Sequence, residues 1–239
     1  MGRAHEVRAA AMAKTAAMKS KVYSRYGKEI YIAAKSGVPD PDMNLTLRSK
    51  IKEAKANQVP ADVIKRAIEK AKGGTGESYD SLRYEGFGPG AATIIIDCLT
   101  DNSNRTVAAM NQCFNKAHCK LGVKGSVSFN YDNLGVLSFK YDDEDKMLET
   151  LIEADVDVND IEVEEGEMTV YVTPTDLHKA QEAIDTLIPD CEYSVCAIKM
   201  LPQEYIKLTD EKDKEMWNRL LTLLDDVEDV QEVFHNVEE

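Results

Sequence analysis

Between residues 135 and 201 the hydrophobic period alternates between two and about 3.6 residues, and the order of that alternation limits the fold more than any other feature. GVLSFKY (135–141) reads as a strand. Met147, Leu148, Leu151 and Ile152 then recur as one face of a helix. DIEVEE and MTVYVTP read as two further strands. Leu177, Ala180, Ile184 and Leu187 stripe a second helix, and CEYSVCAIKML (191–201) is a closing strand. This β-α-β-β-α-β order is ferredoxin-like.

The flanking segments predict a second unit of the same kind, split by the first. AATIIIDCLT (91–100) is a short β-branched run suited to a buried strand. A helix with Val107, Met110 and Phe114 inward follows, and then GSVSFNY (125–131) as a strand. Downstream, EYIKL reads as a strand and EKDKEMWNRLLTLLDD as a helix facing Met216, Leu220, Leu223 and Val227 inward. VQEVFHN (230–236) is a final strand.

The beginning of the chain is helical instead. Tyr23, Tyr26, Ile30 and Ala33 line one face of Ser20–Ser36, and Gly37 stops it. Asn44 caps a second helix carrying Leu47, Ile51 and Ala54. Pro60 suits the first turn of a third, with Ile64, Ala67, Ile68 and Ala71 at helical spacing before Gly73 and Gly74. Residues 3–19 have the alanine content of a helix but no stripe of large apolar residues, and are expected to be held loosely until a partner binds. The expected architecture is α+β in three domains: a basic helical domain (1–78), a discontinuous ferredoxin-like domain (79–133 and 202–239), and a ferredoxin-like domain inserted in it (134–201).

Charge divides along the same line. Residues 1–76 contain 16 Lys and Arg against 7 Asp and Glu, a net +9, whereas residues 77–239 carry −23. A basic module on an acidic body points to phosphate recognition by the first and repulsion of nucleic acid by the second. No apolar run approaches a membrane span. The N-terminus is basic without an apolar centre, and is read as mature protein rather than a secretory signal. Five cysteines with no C-x-x-C pair fit reduced thiols in a cytoplasm better than a disulfide framework or zinc ribbon.

YEGFGPG (84–90) invites a phosphate-loop reading. Such a loop needs its glycines after a strand and opening a helix. Here they precede a strand, no Lys-Ser/Thr pair follows, and Pro89 removes an N–H donor. A tight lead-in turn is the better expectation. His5, His118, His178 and His235 are scattered, and the acidic runs at 142–145 and 225–229 lack the ligand spacing of an EF-hand. No catalytic residue, metal, cofactor or small-molecule substrate is therefore assigned.

RYEGFGPG (83–90), DCLTDNSNRTVA (97–108), GSVSF (125–129) and DDVEDVQEVFHN (225–236) together resemble the YebC/PmpR family, which includes the mitochondrial translational activator of cytochrome oxidase subunit one. The resemblance implies a helical N-terminal domain, two ferredoxin-like domains and no enzymatic activity. It implies a DNA-binding transcriptional regulator or, as in other members, a factor acting on messenger RNA or the ribosome. The start, GRAHEVRAAAMAKTAAMKSK, differs from the GHSKWANIKHRK of many members and resembles a sub-branch.

The expected function is thus a nucleic-acid-binding regulator of gene expression, on DNA or RNA. The expected phosphate contacts are Arg3, Arg8, Lys14, Lys19, Lys21, Arg25, Lys28, Arg48, Lys50, Lys52 and Lys55. Arg105, in TDNSNRT, is a further contact, with Ser103 or Asn104 capping the helix after it. A ribosome- or mRNA-associated translation factor, or an acidic adaptor docking on a basic protein, are the alternatives.

Overall fold

The computed structural model describes residues 16–73 and 78–238. The fold is α+β, an N-terminal helical region followed by two antiparallel sheets. The described residues form two compact units, one of 16–73 with 133–199, the other of 78–132 with 200–238.

The first unit begins with helices α1 (Ala16–Lys35), α2 (Leu45–Ala56) and α3 (Ala61–Lys72). Tyr26, Ile30, Ala33, Leu47, Ala54, Ile64 and Ala67 are buried between them. Asn44 caps α2 by accepting from the Leu47 N–H at 3.0 Å. Its amide donates to the carbonyls of Ala33 and Val38, so one side chain ends one helix and starts the next. Pro60 is the N-cap of α3 rather than a first-turn residue.

Strands β4 (Tyr131–Lys140), β5 (Val158–Glu164), β6 (Glu167–Val172) and β7 (Tyr193–Pro202) form a sheet in the order β5-β6-β4-β7. Helices α5 (Glu144–Glu153) and α6 (Leu177–Leu187) connect them in the expected ferredoxin-like order. Leu137, Phe139, Met147, Leu151, Val170 and Ile184 form its core. Leu148 and Ile152, expected to face inward, are exposed, because the packed face of α5 is the narrower Met147–Leu151 line.

The second unit departs further from expectation. Its sheet has the order β3-β1-β2-β8, built from β1 (Asp80–Phe87), β2 (Thr93–Thr100), β3 (Lys120–Leu121) and β8 (Val230–His235). Most of RYEGFGPG is strand, not a lead-in turn: β1 pairs with β2 along its whole length, and only the residues from Gly88 to Ala92 turn. GSVSFNY is largely not a strand but a loop with a 3-10 turn at Ser128–Asn130, which enters β4 at Tyr131. EYIKL makes only an isolated bridge, Ile206 to Val237. Helices α4 (Ser103–Lys116) and α7 (Glu211–Asp225) cover the sheet through Met110, Phe114, Trp217, Leu220 and Leu224. Of the expected inward residues of α7, Leu220 is buried and Leu223 and Val227 pack half-buried against the core, and Trp217 and Leu224 are buried beside them.

The glycines of YEGFGPG have packing reasons. A Cβ on Gly86 would stand 2.3 Å from the Phe114 ring, and one on Gly88 would stand 2.8 Å from the Trp217 ring. Gly90 has φ +61°, which only glycine adopts without strain.

Candidate nucleic-acid interface

The helical module fixes its cations in three different ways. The first is an internal ion network. Arg25 Nε donates to Glu29 at 2.9 Å, Lys50 Nζ lies 3.1 Å from Glu29 and 2.8 Å from Glu53, and the Tyr26 hydroxyl donates to Glu53. Glu53 is 3% exposed and the Arg25 side chain 15%. Burial works against both cations, but the neighbouring carboxylates outweigh it and hold Arg25 and Lys50 above their ordinary pKa values. Burial likewise raises the Glu29 carboxyl, yet Arg25 and Lys50 bring it below the usual range. A partly buried network of this kind needs opposite charges close together, and here each lies within 3.1 Å of one. Lys50 with Glu29 and Tyr26 with Glu53 therefore tie α1 to α2, and Arg25 holds Glu29 in place for that contact.

The second use is mechanical. Arg48 is exposed, but its guanidinium donates to the carbonyls of Pro41 and Asp42 at 3.0 and 2.8 Å, which pins the loop between α1 and α2. Lys52 pairs with Glu182 of α6, Ser49 meets His178 of the same helix, and the Asn57 amide donates to the Cys196 carbonyl at 2.7 Å. These contacts seat α2 on the inserted sheet domain.

The third set faces solvent. Lys19, Lys55, Lys65, Arg66 and Lys72 are exposed. An open cleft of about 590 Å³ lies between the pinned 38–41 loop and α3. Val38, Pro39, Pro41, Ile64 and Ile68 line its apolar part, and Lys55, Lys65 and Lys72 stand among its lining cations. Asp40 and Glu69 also line it, Glu69 3.2 Å from Lys72. Lys65 and Lys72 follow from the exposed face of α3, whereas their gathering with Lys55 and the Pro39–Pro41 loop depends on tertiary packing. Lys21 and Lys28 are half-buried on α1. Arg3, Arg8 and Lys14 lie outside the described residues.

Arg105 belongs to the second unit. It bonds to Asp229 at 2.8 Å and Asp101 at 2.7 Å, and Thr106 donates to the same Asp229 at 2.9 Å. The residue that caps this helix is Asn102, which accepts from the Arg105 N–H at 3.1 Å, rather than Ser103 or Asn104. Burial raises the Asp229 carboxyl, but the Arg105 and Thr106 bonds hold it below the ordinary carboxylate range. The TDNSNRT loop is thereby fixed to the DDVED turn. Among the described residues no helix is long and apolar enough to cross a membrane.

A basic helical module precedes two sheet domains, one of which interrupts the other in sequence. Residues 3–74 match the TACO1/YebC protein N-terminal domain, and residues 79–237 match the TACO1/YebC second and third domain. A probable transcriptional regulatory protein of Alteromonas mediterranea is 50% identical over 99% of this chain and 98% of its own. One of Vibrio vulnificus is 51% identical over the full length of both. The crystal structure of a conserved hypothetical protein from Aquifex aeolicus superposes with a TM-score of 0.75 at 30% identity, covering 95% of this chain and 93% of that one. The chain belongs to the TACO1/YebC family.

Proposed function

We propose that this chain is a non-enzymatic, cytoplasmic regulator of gene expression that binds nucleic acid through its helical module. The observation that carries this reading is the opposition of charge, +9 in residues 1–76 against −23 in the rest. The names of its bacterial relatives support the regulatory role. Lys55, Lys65 and Lys72 about the cleft are the lead phosphate contacts, and Lys19, Arg3, Arg8 and Lys14 are further ones. Arg25 and Lys50 act by holding the module together, and Arg48 by fixing one wall of the cleft. Phosphate contacts supply affinity and register but no sequence information.

The test is a salt titration of binding by the full-length protein. Each lost phosphate contact flattens the log–log slope by about 0.9 on duplex DNA, or about 0.7 on single strands. Replacing Lys55, Lys65 and Lys72 with Ala is expected to reduce the slope by two to three such steps and leave thermal stability nearly unchanged. A wild-type affinity that ignores salt would overturn the reading.

A further inference from the structure

From Asn102 to Tyr131 the chain has no aspartate or glutamate, although residues 77–239 hold 36 of them. Arg105, Lys116, Lys120 and Lys124 all fall within that acid-free run. Arg105 is taken by Asp229, as described above. Lys116, Lys120 and Lys124 are exposed, and among the described residues none of these three forms an ion pair. The solvent face of α4 beside them presents amides, including Asn111 and Asn115. The second unit thus has one acid-free stretch of chain in an otherwise acidic half.

The loop that follows holds an aromatic ring out into water. Phe129 is 70% exposed on its 3-10 turn. A single exposed ring means little by itself. This one is presented by a rigid support. The Gly122 N–H donates to the Glu85 carbonyl at 2.8 Å. The Glu85 carboxylate, 2% exposed, accepts from the N–H groups of Gly125, Val127 and Ser128 at 2.8, 2.7 and 3.0 Å. Val127 is buried with Ile95, Tyr131, Met200 and Phe234. The backbone beside Phe129 is therefore fixed before any partner arrives.

We propose that this acid-free stretch of the second unit binds single-stranded RNA, with Lys116, Lys120 and Lys124 on phosphates and Phe129 stacked on an unpaired base. The proposal rests on the regulator reading and deepens it, adding a contact outside the helical module. Lysines spaced along a surface with a projecting ring are the elements by which proteins hold unpaired strands. A duplex hides its base faces, whereas RNA loops and bulges display them. A stable protein partner would need a larger apolar centre than one ring among lysines and asparagines.

The experiment measures fluorescence anisotropy of the full-length protein on a labelled uridine oligonucleotide, on the matched deoxyuridine strand and on a DNA duplex, across a salt series. Replacing Lys116, Lys120 and Lys124 with Ala is expected to lower the slope on the RNA strand by about 2, at about 0.7 for each phosphate. Phe129→Ala is expected to weaken that binding about tenfold at unchanged slope, and Phe129→Tyr to restore it. Duplex affinity should not respond to Phe129→Ala. Unchanged slope and affinity in these variants, or tighter binding to the deoxy strand, refutes the proposal. If only the Lys55, Lys65 and Lys72 variant loses binding, the helical-module reading stands and this inference falls. A wild-type protein that binds none of the three probes refutes both. Thermal melting of each variant confirms that the fold is intact.

Discussion

Replacing Glu85 with Ala tests whether one buried carboxylate holds the 122–130 loop. The side chain serves three backbone donors, and they do not lose equally when it goes. Gly125 is exposed and Ser128 half-exposed, so water can take over much of their bonding. Val127 is fully buried, and its N–H would be left without a partner. An orphaned buried donor costs about 1–3 kcal/mol, and each water-replaceable bond about 0.5–1 kcal/mol. The variant should therefore lose roughly 3–4 kcal/mol in denaturant unfolding. Hydrogen exchange should accelerate first at Val127 and its neighbours. Burial pushes the Glu85 carboxyl up, but the Val127, Gly125 and Ser128 bonds outweigh it and hold the group below the ordinary carboxylate range. Its contribution is thus complete above the unfolded value, about 4.3, and is lost as pH falls through the lower folded one. Glu85→Gln should lack that acid-side loss. A stability change under about 1 kcal/mol, with unaltered exchange at Val127, would refute the reasoning.

Two more outcomes are expected. Gly88→Ala should destabilise by about 1–3 kcal/mol through overpacking against the Trp217 ring, and because the chain has one tryptophan its emission reports the displacement directly. Burial, aided by Lys50 and Lys52 against the opposing pull of Glu53 and Glu182, holds His178 below its ordinary pKa. The unfolded chain therefore takes up the proton first, so stability should fall as pH drops below about 6.5 toward the folded value. Urea melts of His178→Gln should show a smaller decline across that range.

The inserted sheet domain was legible because its strands and helices each keep one apolar face, so period alone separates them. The other sheet was not, for a local reason in each case. Strand β1 carries Gly86 where the Phe114 ring approaches, and the turn after it carries Gly88 against Trp217, rings that lie far along the chain. GSVSFNY alternates like a strand, but its N–H groups go to a carboxylate some 40 residues earlier. The same distinction runs through the cations. Arg25 with Glu29 and Lys50 with Glu53 sit at helical pair spacings and their commitment could be read from sequence. Lys52 with Glu182 and Arg105 with Asp229 could not, since over a hundred residues separate each pair.

The interrupted sheet also sets a schedule for synthesis. Strand β2 is complete at Thr100, but its neighbour β8 begins only at Val230, about 130 residues later. At about 5–20 residues per second, the interval is of the order of ten seconds. Throughout it, Ile94, Ile95 and Ile96 lack β8 on one side, Ile94 and Ile96 lack the Trp217 helix, and Ile95 lacks Phe234. The inserted domain, contiguous in sequence, can close during that wait. The nascent chain therefore carries an open, isoleucine-rich strand edge until its last forty or so residues emerge, and truncation there leaves that edge to aggregation or to a chaperone.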